Sequence, residues 1–174
     1  LDFNINNQLF KLKENNFAFS GNVASNSFDT NGAQTRYAVS GKKIGDMHLG
    51  VGMSIAQISS DNGHGNNKRQ GQNYQFMMPL QWKNDNGFNT IITPKLAYSY
   101  GTYSRDGYND IDYKGKIEKQ LMGVSAQSKY KFDLFGFNIT PTSEANLTAY
   151  KTKISEDAKQ YSLNSEDNLT YSAT

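Results

Sequence analysis

Residues 71–103 read GQNYQFMMPLQWK, then NDNG, then FNTIITPKLAYSYGTY. In the first arm Tyr74, Phe76, Met78, Leu80 and Trp82 take every second place, between Asn73, Gln75, Met77, Pro79, Gln81 and Lys83. In the second arm Phe88, Ile92, Leu96, Tyr98 and Tyr100 share a face with Thr90 and Pro94, against Asn89, Thr93, Lys95, Ser99 and Gly101. A period of two on both sides of an Asn/Asp/Gly turn is satisfied only by a long β-hairpin, because successive strand side chains point to opposite faces.

Further arms repeat this device. Phe17, Phe19, Gly21 and Val23 alternate with Ala18, Ser20, Asn22 and Ala24; Ala33, Thr35, Tyr37 and Val39 alternate with Gln34, Arg36, Ala38 and Ser40. A third arm sets Leu49, Val51, Met53 and Ile55 against His48, Gly50, Gly52, Ser54 and Ala56, a face kept small or polar. After the opening hairpin, a sixth arm sets Met122, Val124, Ala126, Tyr130, Phe132 and Leu134 against Lys119, Gly123, Ser125, Gln127, Lys129 and Lys131. A seventh carries Phe137, Ile139, Pro141, Ala145, Leu147 and Ala149, and an eighth, the weakest, runs from about Gln160 to Ser172. Residues 1–15 carry Phe3, Ile5, Leu9, Phe10 and Leu12 without a winning period, so a short helix, an extended linker or a strand end all remain open.

Composition narrows the class. A chain of 174 residues fits one domain, and 18 basic against 16 acidic residues give no charge-based case for a nucleic-acid partner. With no Cys, disulfides and thiolate chemistry are excluded, and two distant histidines make a conventional zinc site a poor reading. No apolar run reaches the roughly 20 residues of a membrane helix. The chain starts at Leu1 without a signal-peptide pattern, which reads as a processed or excised piece.

The connections alternate: long near 25–32, 59–72, 104–115 and 152–160, short at 41–46, 84–87 and 133–136. Outer-membrane barrels sort their loops this way, and arms of 10–15 residues match the roughly 9–11 that cross a bilayer at a tilt. Trp82, Phe88, Phe132 and Phe137 lie beside short turns, while Tyr74, Tyr98, Tyr100 and Tyr103 lie toward long loops, as two interfacial belts would. The expected fold is therefore all-β: an antiparallel up-and-down transmembrane β-barrel with about eight strands visible, residues 16–174 forming the barrel and 1–15 a linker or pore segment.

On that fold the lipid-facing residues are Leu49, Val51, Met53, Ile55, Phe76, Met78, Leu80, Trp82, Leu96 and Tyr98. Arg36, Lys95, Lys119, Lys129, Lys131 and Glu144 occupy the polar faces and are read as lining the lumen. His48 and His64 lack partners at ligand spacing and read as solvated. Asp106, Asp110, Asp112 and Glu118 have the wrong spacing for a calcium loop. Asn138, Asn146 and Asn168 begin glycosylation sequons, which carry no meaning in a bacterial membrane strand. No Ser-His-Asp set or poised carboxylate pair emerges, so the chain reads as a non-enzyme without cofactor.

GFNTIITPKLAYSYGTYSRDGY at 87–108 and KQLMGVSAQSKYKFDLFGFNITPTSEANLTAY at 119–150 resemble the C-terminal translocator barrel of type V autotransporters, as does GDMHLGVGMSIAQISSD at 45–61. The two segments also repeat weakly, Pro94 and Pro141 standing 47 residues apart. The resemblance covers about residues 16–174 and implies a twelve-stranded barrel with a helix threading the pore. It also implies a role in export of the protein's own passenger, with the bilayer, the passenger segment and the barrel-assembly machinery as partners and the bacterial outer membrane as location. Eight arms against twelve, and a Tyr-Ser-Ala-Thr end where the family ends in an aromatic, point to a truncated barrel or a different, eight-stranded one. Some members cut themselves beside an Asn-Asn pair in the pore, which marks Asn6-Asn7 as the corresponding place. Two other readings stay open: a small eight-stranded outer-membrane adhesin or structural barrel, and a soluble β-sandwich or lipocalin-like binding module whose core is the same stripe.

Overall fold

The computed structural model describes residues 1–26, 32–61, 68–84, 86–106, 112–156 and 166–173. One helix, α1 (Asp2–Phe10), precedes strands β1 (Asn16–Asn26), β2 (Gly32–Ile44), β3 (Met47–Asp61), β4 (Lys68–Met77), β5 (Leu80–Lys83), β6 (Phe88–Asp106) and β7 (Asp112–Tyr130). Then follow β8 (Phe132–Leu134), β9 (Phe137–Ile139), β10 (Thr142–Glu156) and β11 (Glu166–Ala173). The chain is all-β and antiparallel, with a sheet path β1-β2-β3-β4-β6-β7-β10-β11 in which consecutive long strands pair, the short β5, β8 and β9 standing off the path. That is the meander expected from the eight arms.

β4 and β5 are one arm broken at Met78-Pro79. Proline has no N–H to give a ladder, and the gap is bridged by Met78 N–H donating to the Pro94 carbonyl (3.0 Å) and Gly50 N–H to the Pro79 carbonyl (2.9 Å). β5 therefore stays paired to both β3 and β6. At the tip of the last short turn, β8 and β9 form their own two-stranded ladder, reversing through Phe135 (φ 52°) and Gly136 (φ 84°). Positive φ at both central residues matches the right-handed twist of the flanking strands.

The strands run further than the apolar stripe suggests. Ser59–Asp61 pairs with Lys68–Gln70, and Ser104–Asp106 with Asp112–Lys114, so much of what reads as long polar loop is hydrogen-bonded ladder. Backbone pairing is indifferent to side-chain polarity once both strands have started. At the other end β2 and β3 continue to Ile44 and Met47, leaving only Gly45 and Asp46 to turn.

α1 lies against one face of the sheet. Asn6 reaches β7 and Gln8 reaches β2, strands four ladder steps apart on the path. In a flat sheet those strands would stand about 19 Å apart, whereas two positions on a helix lie within one turn of each other. The sheet is therefore curled about the helix, which sits in its concave face.

Candidate functional site

The concave face and its helix form the most built part of the molecule. Leu1, Ile5, Leu9 and Leu12 recur at helical spacing, and Ile5 (1% exposed) and Leu9 (0%) are the most enclosed of them. They pack with Phe17, Tyr37, Val39, Met77 and Ile91, with Leu1, Phe10, Leu12, Phe19 and Val23 at the margin. A nine-residue helix is too short to persist alone in water; this contact holds it. Lys43 N–H donates to the Asn15 carbonyl (2.6 Å), tying the chain after the helix to the turn end of β2.

A second helix face is polar and meets the β6–β7 wall. The Lys95 ammonium lies 2.6 Å from Asp2 Oδ2. Asn6 Nδ2 donates to Gln127 Oε1 (2.9 Å), buried. Lys129 Nζ stands 3.5 Å from Asn7 Oδ1 and 4.1 Å above the Phe10 ring centroid. Gln8 Nε2 donates to the Tyr37 hydroxyl (2.8 Å) on the opposite wall. The acidic Asp2 in the first turn also complements the positive end of the helix.

These contacts fix the helix direction. Lys95, beside Asp2, is six residues further from the short turn than Asn89, which pairs with Lys129. The N-terminus of α1 therefore points toward the long-loop end of the sheet, and its C-terminus meets β1 at the short-turn end.

Small residues on β3 make the fit possible. An added Cβ at Gly52 would come within 2.8 Å of Val39 Cγ2 and 3.0 Å of Met77 Cγ, so only glycine lets these side chains meet beneath the helix. His48, read as solvated, is instead 5% exposed on this face, its ring 6.0 Å from that of Phe17. Alternation with small residues places it on the polar face, and Phe17 and the Glu14 backbone, in the segment after the helix, lie against it.

Of the residues read as lumen-lining, Lys95, Lys119, Lys129 and Glu144 stand on the concave face. Lys119 lies over the Tyr150 ring (3.9 Å) and Glu144 accepts from Asn146 Nδ2 (3.0 Å). Arg36 does not join them: it pairs with Ile55 and Asn22 on the outer face, because β1 and β2 turn their apolar residues, Phe17, Tyr37 and Val39, toward the helix. Lys131 lies between β7 and β8, exposed, beyond the helix contacts. The ten residues read as lipid-facing all stand on the outer face. There Met53 is 64% exposed and Met122 61%. Tyr74 and Tyr100 stack on that face (6.3 Å) and share Gln72 Oε1.

Among the described residues there is no cluster of three or more metal-ligating side chains. His64 and Asp110 lie outside the described residues, as do the side chains of Asp106 and Asp112. Asn6-Asn7 lies inside α1, its two amides engaged by Gln127 and Lys129. No protein-family model and no curated protein matches the chain.

Proposed function

We propose that this chain is a translocator of outer-membrane type: a curled β-sheet that spans the bilayer and takes part in exporting the polypeptide attached to the N-terminus of α1. The observation that carries it is the seating of α1. The helix runs along the concave face, apolar against β1–β4 and polar against β6–β7, with its first turn toward the long-loop end, so a segment preceding Leu1 would leave the sheet on that side. The outer face supports the same reading. Val51, Met53, Phe76, Leu96, Met122 and Leu147 give it an apolar band that water would not favour, and aromatic residues stand toward both ends.

The test fuses a reporter domain before Leu1 and asks, in a diderm bacterium, whether protease added outside removes it. Surface exposure of the reporter, lost in Met78→Lys, is the expected result. A monomer that is folded in plain buffer without detergent would overturn the membrane reading. The eight-strand path favours a second reading, a small barrel that displays its own loops. A chain that inserts and folds while its reporter stays inside would select that one.

A further inference from the structure

The outer face carries a pattern that the helix does not use. Toward the long-loop ends of β4, β7 and β10 the apolar stripe gives way to exposed Lys68, Lys114, Lys116, Lys151 and Lys153. Register gathers three of them: Ser104 stands between Lys68 and Lys114, and Lys116 stands between Thr102 and Ser155. A groove of 560 Å³ is lined by Lys68, Lys114, Lys116, Thr102, Ser104 and Ser155. Ammonium and hydroxyl groups together are the donors that a phosphate's oxygens accept. Lys68 and Ser104 already have partners within the chain, so the site rests chiefly on Lys114 and Lys116. Glu118 is an acidic neighbour on this face, paired across from Lys153 and Tyr100.

Further along β4 and the adjacent β6 come Tyr74, Tyr98 and Tyr100, and after them an apolar groove of 480 Å³ lined by Phe76, Met78, Leu96, Met122, Leu147 and Ala149. Lys116 and Met122 are six residues apart on one strand, about 20 Å. Cationic donors, aromatic rings and hydrocarbon thus follow one another in the order of an anionic lipid's headgroup, interface and chains.

We propose that this strip binds a phosphate-bearing lipid, its headgroup in the lysine groove and an acyl chain along Phe76, Leu96 and Met122. The proposal rests on the membrane reading above. The apolar groove below the lysines is what commits the site to a lipid, since a free anion would make no use of it.

The full chain, inserted in phosphatidylcholine vesicles, is given a minor fraction of spin-labelled phosphatidic acid or spin-labelled phosphatidylcholine, and the motionally restricted share of each is read. Phosphatidic acid should be preferred, each lysine contributing roughly fivefold. Lys114→Gln with Lys116→Gln should remove most of the preference, while Lys42→Gln with Lys43→Gln at the short-turn end should leave it intact. Millimolar inorganic phosphate should not displace the lipid. An inserted chain that shows no preference, or one that both lysine pairs reduce alike, overturns the lipid site. Displacement by inorganic phosphate overturns it in favour of a plain anion site. A chain that does not insert at all overturns the membrane reading instead.

Discussion

The Asp2 carboxylate meets the Lys95 ammonium at 2.6 Å, joining the first turn of α1 to the middle of β6. Both side chains are mostly covered, at 22% and 14% exposed, so the pair is screened less than a surface ion pair and leaves a costly orphan when one partner is removed. Asp2→Asn and Lys95→Met should each weaken helix docking by about 1–2 kcal/mol, with the double variant less than additive. Hydrogen exchange of the α1 amides reads this, and the sheet amides should not change.

Leu9→Ala should cost about 2–3 kcal/mol, because Leu9 is wholly enclosed by residues of the sheet wall. The loss is bounded by the docking free energy, since the helix can leave while the ladders persist. Loss of α1 protection with unchanged strand protection is the expected pattern. A global fall in strand protection would mean that the sheet depends on its helix.

Gly52→Val should destabilise by about 1–3 kcal/mol, since its side chain would press into Val39 and Met77. The thermal midpoint in detergent measures it. Val39→Ala in the same chain should recover part of the loss, because the nearer clash is with Val39 Cγ2.

Arg36 gives a depth test. It shares a rung with Ile55, which pairs with Tyr74, itself paired with Tyr98. On the membrane reading that rung lies at the aromatic belt, where a long cationic side chain reaches the headgroups. Arg36→Leu should change stability by less than about 1 kcal/mol, whereas Ala38→Arg, one outward position nearer the midplane beside Met53, should cost about 2–4 kcal/mol in a bilayer. Equal, small effects of both in lipid would count against burial of this face in hydrocarbon.

The strands and their pairing were legible because period two is a strong signal, and the hairpin of 71–103 reads correctly to the face of each residue. Alternation gives a period but not a sign, however. On β3 to β7 the apolar face looks outward, while on β1 and β2 Phe17, Tyr37 and Val39 look inward to the helix, which put Arg36 on the wrong side. The helix itself was hidden by the same competition. Leu1, Ile5, Leu9 and Leu12 carry its period, but Phe3 and Phe10 blur the stripe, and nine residues have little intrinsic helical stability. What identifies α1 is its partners: Gln127 is 121 residues away, a distance no local pattern spans.

That separation has a kinetic side. Consecutive long strands pair along the path, so the sheet can zip hairpin by hairpin from local closures. The bond from Asn6 to Gln127, by contrast, closes a loop spanning most of the chain and needs the concave wall already in place. Docking of α1 is therefore the late event of folding, a readout that the meander has curled. A probe on Asn6 would report the completed sheet, and one on the 71–103 hairpin would report its beginning.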